Sequence, residues 1–235
     1  MNKKIFFMLL FSPAFLLMLN ADNPADILWQ KAEKIAFENW NLVPGRIHKE
    51  KKVYKKNGKL KSTKEVILES NYEDNKISLH FVQARTDKKE LTEENSYVLA
   101  EMNKDYYPQN NSIFHNAEKF KVKYYRTNET LIIRGRKCAI YDIEFQQVED
   151  GKIVEYLGKV FLDAKNGTPY RLEKTAKKLP AMMKSFLETT EYEIDNNGNW
   201  ITKSELTATK AKLLLLTITM HLKYTYSDYW KFPGK

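Results

Sequence analysis

From Leu213 to Tyr226 apolar and polar residues alternate. Leu214, Leu216, Ile218, Met220, Leu222, Tyr224 and Tyr226 share one face of an extended segment; Thr217, Thr219, His221, Lys223 and Thr225 share the other. A period of two sustained this far predicts a strand with one apolar face. At ~3.4 Å per residue it would run roughly 45 Å, about twice the usual strand. Strands of that length belong to a strongly curved sheet or a barrel, and a curved sheet with an apolar inner face is a container.

The same alternation recurs upstream. Strands are expected over Arg46 to Lys56, Leu60 to Tyr72, Ile77 to Gln83, Lys119 to Tyr125, Leu131 to Arg134, Tyr141 to Phe145, Tyr156 to Asp163, Tyr170 to Lys174, Phe186 to Ile194 and Asn199 to Thr209. Asn57-Gly58, Asp150-Gly151, Asn166-Gly167 and Asn196-Asn197-Gly198 are turn signals between them. Two segments read as helices. Asn23 offers a cap, Pro24 a first turn and Asp26 a charge suited to the N-terminal dipole, ahead of Leu28, Ala32, Ile35 and Ala36. Thr92-Glu93-Glu94 opens a second through about Lys104, carrying Val98, Leu99 and Met102. The expected class is mainly β (α+β): a strongly curved antiparallel sheet forming an incomplete barrel, with two helices covering its concave side.

The segment Gly158 to Asp163, followed by Asn166-Gly167-Thr168-Pro169-Tyr170-Arg171-Leu172-Glu173, resembles bacterial outer-membrane lipoprotein-sorting proteins. Gly198-Asn199-Trp200, the Leu-rich final strand and Tyr226-Ser227-Asp228-Tyr229-Trp230 add to the likeness. The resemblance implies an incomplete antiparallel barrel whose cavity takes acyl chains. It also implies carriage of lipoproteins across the periplasm, their reception at the outer membrane, or sensing of envelope stress. The carrier branch uses an arginine facing its cavity; Arg46, Arg85, Arg134 and Arg171 all lie in strand candidates, and none aligns to it.

Composition supplies the address. Asn2-Lys3-Lys4 is a basic n-region and Ile5 to Leu19 an apolar h-region broken only by Ser12 and Pro13. That is shorter than the ~20 residues of a membrane span, so residues 1–21 read as a signal peptide cut after Ala21. The alternative is an uncleaved signal anchor. Residues 22–235 are then one exported, periplasmic domain. The formal charge is +9, with Lys3 and Lys4 in the leader. Nucleic acid suits that charge but not export. The lysines around Asn57-Gly58 read first as edge protection against aggregation, and second as attraction to anionic headgroups or an acidic partner. The single cysteine, Cys138, excludes an internal disulfide.

Catalytic and metal-ligating motifs are absent from the sequence, and His48, His80, His115 and His221 have no ligand spacing. The expected protein is therefore not an enzyme and needs no cofactor or metal. The expected cavity lining is Tyr141, Ile143, Phe145, Val160, Leu162, Leu172, Tyr192, Ile194, Leu214, Leu216, Ile218 and Met220, although the same residues suit a filled core. Leu28 and Ile35 on the first helix form the expected lid. Leu179, Met182, Met183 and Phe186, in an apolar stretch interrupted by Pro180, form the lip. Two functions follow. One is a carrier or receptor for lipid or acylated lipoprotein, working at a membrane surface or with an export complex. The other is an envelope protein-binding module, a stress sensor or export accessory, on the same fold.

Overall fold

The computed structural model describes residues 26–73, 76–87, 89–91, 112–149, 151–213 and 216–233. They form one helix, α1 (Ile27–Glu38), and thirteen strands. The strands are β1 (Leu42–Val43), β2 (Arg46–Tyr54), β3 (Leu60–Glu73), β4 (Lys76–Thr86), β5 (Lys89–Leu91), β6 (Lys123–Ile133) and β7 (Arg136–Glu149). They continue with β8 (Lys152–Asp163), β9 (Pro169–Ala176), β10 (Met183–Ile194), β11 (Trp200–Leu213), β12 (Leu216–Ser227) and β13 (Trp230–Lys231). The expected second helix falls outside the described residues, as do Asn23 and the leader.

Eleven strands make one antiparallel sheet in the order β5-β4-β3-β2-β12-β11-β10-β9-β8-β7-β6; β1 and β13 form a separate pair. The sheet is curved and does not close into a barrel. Breaks in register at Val53/Tyr54, Ile67/Leu68, Phe161/Leu162 and Glu191/Tyr192 account for bending, because an extra residue on one strand coils the ladder locally. Gly158 permits the closest strand approach, since a Cβ there would lie 2.2 Å from the Glu173 carbonyl oxygen.

Two expected boundaries are corrected. The long strand β12 starts at Leu216, and Leu213 of β11 pairs with Leu216 although no Gly, Asn or Pro separates them in sequence. The long alternation therefore spans the end of one strand and the whole of the next. The two short strands expected around Lys119 and Leu131 are a single strand, β6, with a register break between Arg126 and Thr130.

Helix α1 is capped by Asp26. Its Oδ1 accepts from the backbone N–H groups of Leu28 at 2.9 Å and Trp29 at 3.4 Å, and from the Tyr141 hydroxyl at 2.7 Å. A cap that also holds a sheet residue fixes where the helix enters. At the other end the Asn39 side chain receives the N–H of Trp200 at 3.1 Å. Between these anchors Leu28, Trp29, Ala32 and Ala36 are buried, with Trp29 stacked on Tyr124 at 4.1 Å between ring centroids. Ile113, Phe114 and Phe120 complete this core against β7, β8, β9, β10 and β11. The sheet face that carries α1 is the inner face.

Trp29→Ala is expected to destabilise the protein by ~3–5 kcal/mol, the usual cost of emptying a fully buried indole site. Urea unfolding of the two proteins measures this; a loss below ~1 kcal/mol would show that α1 is not part of the cooperative core.

Candidate functional site

The hairpins divide the sheet into two rims. At one rim lie α1 and the C-terminal tail, where Trp230 donates to Ser70 Oγ at 3.1 Å and Tyr229 to the Thr202 carbonyl at 2.6 Å; the 112–121 segment runs across the inner face to Gln146, whose N–H donates to the Phe120 carbonyl at 2.8 Å. At the other rim β2 meets β3, β4 meets β5, β7 meets β8, β9 meets β10 and β11 meets β12. Cross-strand pairing sets the inner-face side chains in rows between the rims.

The row nearest the turns is Met183, Ala211 and Ile218. Next come Phe186, Thr209, Met220 and Val53. Of these seven, all but Thr209 are only half-buried, and Leu216 at the start of β12 is 67% exposed. Burial deepens along β12, to 9% exposure at Tyr224 and 4% at Tyr226. The apolar row of this strand thus runs out of the core towards solvent. At its end a trough of ≈620 Å³ wraps over the rim between the β2–β3 turn and β12, lined by Leu216 and Ile218 of the apolar row, by Tyr54 and Thr217 of the opposite face, and by Lys55, Lys56 and Lys61. That volume lies within the ~300–1,000 Å³ usual for small-ligand sites.

Below the apolar rows the inner face becomes charged. One row holds Glu188, Thr207, Leu222, Lys51 and Lys64; the next holds Thr190, Glu205, Tyr224 and Lys49. Lys174 pairs with Glu188 at 2.8 Å and sits 4.9 Å above the Tyr156 ring. Glu205 accepts from the Tyr226 hydroxyl at 2.7 Å. Burial, then the nearby negative charge of Glu188, pushes the Glu205 carboxyl up to about 7, against the opposing pull of Tyr226 and Lys174. This belt is the polar floor of the apolar strip.

The expected site residues separate into two groups. Tyr141, Ile143, Phe145, Val160, Leu162, Leu172 and Tyr192 are at most 5% exposed and are packed against α1, Phe114 and Trp200. They are a filled core, a correction to their reading as cavity lining: the indole and the 112–121 segment occupy the space over them. Leu28 belongs to that core and Ile35 packs on it, so α1 is a plug rather than a lid. Leu216, Ile218, Met220, Met183 and Phe186 do come together along the strip. Met182 projects at the rim, 60% exposed, and Leu179 is half-buried in the same turn. Ile194 lies at the opposite end of its strand, 46% exposed, away from the strip. Leu214 lies outside the described residues.

The outer face is ion-paired. Arg46 meets Glu69, Arg85 meets Glu65, and both Arg134 and Arg171 meet Glu191. None of the four arginines faces the inner side. Burial, then the charge of Asp163, raises the Cys138 thiol above its ordinary value. Among the described residues no group of three or more His, Cys, Asp or Glu is placed to hold a metal ion.

Sequence reasoning missed the charged belt. Glu188 and Glu205 sit in Thr-rich strands where they look solvent-facing, and Glu205 turns inward only because of the bulge opposite Glu191 and Tyr192. Alternation carries no signal for such a bulge.

No protein-family model matches the chain. No curated protein matches it either. Among solved structures, a DUF1329 family protein from Desulfovibrio piger is similar at a TM-score of 0.39 and 9% identity, covering 91% of this chain and 95% of that one. The Pseudomonas aeruginosa MucA/MucB complex is similar at 0.26 and 8% identity, covering 88% and 99%. MucB in complex with MucA(peri) is similar at 0.25 and 9% identity, covering 88% and 98%. Scores this low fix neither family nor function.

The Glu205 carboxyl predicts a pH slope. Its folded pKa lies above the ordinary 4.5, so the folded state holds the proton more tightly than the unfolded chain. Its contribution is fully present below pH ~4.5 and is lost as pH rises through ~7, a fall of roughly 3 kcal/mol at most. Glu205→Gln should remove this fall, making the variant relatively more stable at pH 8 than at pH 5. Urea midpoints at the two pH values decide it; an identical pH slope in both proteins would contradict the burial of this charge.

Proposed function

We propose that the chain is an exported, periplasmic binding protein that takes an acyl chain of lipid or acylated lipoprotein along the strip between the open rim and the charged belt. It works without catalysis or a cofactor. The observation that supports this reading most is the half-buried apolar strip of β10, β11, β12 and β2, which ends in a lysine-lined trough. An acyl chain laid along Leu216, Ile218, Met220 and Val53 gains ~0.8 kcal/mol per methylene removed from water. The lysines at the trough mouth suit an acidic headgroup or carboxylate, and the Glu188–Lys174 pair ends the apolar run, so cargo is held by its tail near the rim.

A second reading, an envelope protein-binding module, draws on the filled core under α1. With that half of the inner face occupied, the remaining strip is shallow enough to seat an apolar side chain of a partner instead of a lipid. In-cell crosslinking that returns one stable protein partner, with no lipid in the purified protein, would favour it.

Native mass spectrometry and lipid extraction of the purified chain should show bound acyl species, and a fluorescent fatty acid should bind. Ile218→Asp combined with Met220→Asp is expected to weaken that binding by at least ~10-fold, since two charges would meet the chain directly. Val160→Ala, in the filled core, should leave affinity unchanged. Absence of both bound lipid and fatty-acid uptake would sink the acyl-binding reading.

A further inference from the structure

We infer that the open rim is a docking edge for an anionic phospholipid bilayer, with lysines on the headgroups and single apolar side chains in the interface. This goes beyond acyl binding in the strip and does not depend on it.

Two neighbouring turns, β2–β3 and β9–β10, and the adjoining ends of β11 and β12 build the edge. Residues 55–62, 176–187, 207–213 and 216–218 hold nine lysines and no aspartate, glutamate or arginine. The β2–β3 turn carries Leu60 at 53% exposure, the β9–β10 turn Met182 at 60%, and the start of β12 Leu216 at 67%. Each large apolar group lies within a few residues of lysines: Lys59 and Lys61 beside Leu60, Lys184 near Met182, Lys210 and Lys212 shortly before Leu216. Within these segments Lys177 is paired with Glu144, as Lys159 is with Asp142 and Lys203 with Glu193 elsewhere on the sheet. What sets the edge apart is that no acid lies within these segments themselves.

Composition selects a membrane over a protein. Protein interfaces are depleted of lysine at their centres and enriched in arginine, tyrosine and tryptophan. Here the cations are all lysine, whose stem lies along apolar surface while its ammonium stays in water. An anionic leaflet attracts such clusters additively, and leucine and methionine at separate turn tips enter the headgroup boundary as individual anchors. The geometry also fits the strip: its exposed end, Leu216 and Ile218, lies at the same edge, so a docked rim would face the trough towards the bilayer.

The test is co-sedimentation of the purified chain with sucrose-loaded vesicles of phosphatidylcholine, with and without a quarter of phosphatidylglycerol. Binding is expected on the mixed vesicles and should fall with salt. Lys55→Glu with Lys56→Glu and Lys61→Glu should reduce it at least ~10-fold, as should Leu216→Ser with Met182→Ser. Lys203→Glu on the outer face should not. All these positions are exposed, and thermal melts confirm that each variant folds. Comparison among variants cancels any contribution of the residues before Asp26. No binding to mixed vesicles, or equal binding by wild type and both rim variants, overturns the inference. Loss of fatty-acid uptake with vesicle binding intact would instead count only against the acyl-binding proposal.

Discussion

An antiparallel sheet of eleven strands must cover its apolar face, and in this chain the described residues cover it unevenly. Trp29 decides where. Its indole is fully buried among Tyr124, Tyr141 and Phe114, and the Asp26 cap and Asn39 hold α1 over β7 to β11 at one rim. A twelve-residue helix is only ~18 Å long, too short to reach the other rim of strands spanning ~40 Å or more. Along β10 and β11 the filled core, the charged belt and the half-buried strip follow in that order, whereas on β7 and β8 the core continues to Phe145 and Tyr156.

The charged belt gives the inner face its two-part character. A continuous apolar surface would have been closed by collapse or left as one deep cavity. Glu188, Lys174 and Glu205 interrupt it with groups whose burial is tolerated only through specific partners: an ion pair at 2.8 Å, a ring face, and a phenol at 2.7 Å. Glu205 shows the remaining cost in its raised pKa. The belt separates residues that hold the fold from residues that remain available to a ligand.

Most of the architecture was legible in the sequence because a strand's period of two and its glycine turns are local signals. Asn57-Gly58, Asn166-Gly167 and Asn196-Asn197-Gly198 each mark an observed turn, with every one of these glycines at positive φ. The boundary between β11 and β12 was invisible because no Gly, Asn or Pro interrupts the apolar run there. The site was only half legible. Alternation puts Leu216, Ile218 and Met220 on one face, and it says only that Tyr141 or Val160 points inward. Whether a ligand or another part of the chain fills that space depends on contacts with α1 and with Phe114, far away in sequence. The inward turn of Glu205 depends on a bulge, which no residue pattern announces.

The most direct measurement is paramagnetic broadening of methyl resonances by a spin-labelled fatty acid. Ile218, Met220, Met183 and Val53 should broaden, while Ile143, Val160 and Leu162 under α1 should stay sharp. Broadening of the second set, or of neither, would contradict the division of the inner face into a closed core and an open strip.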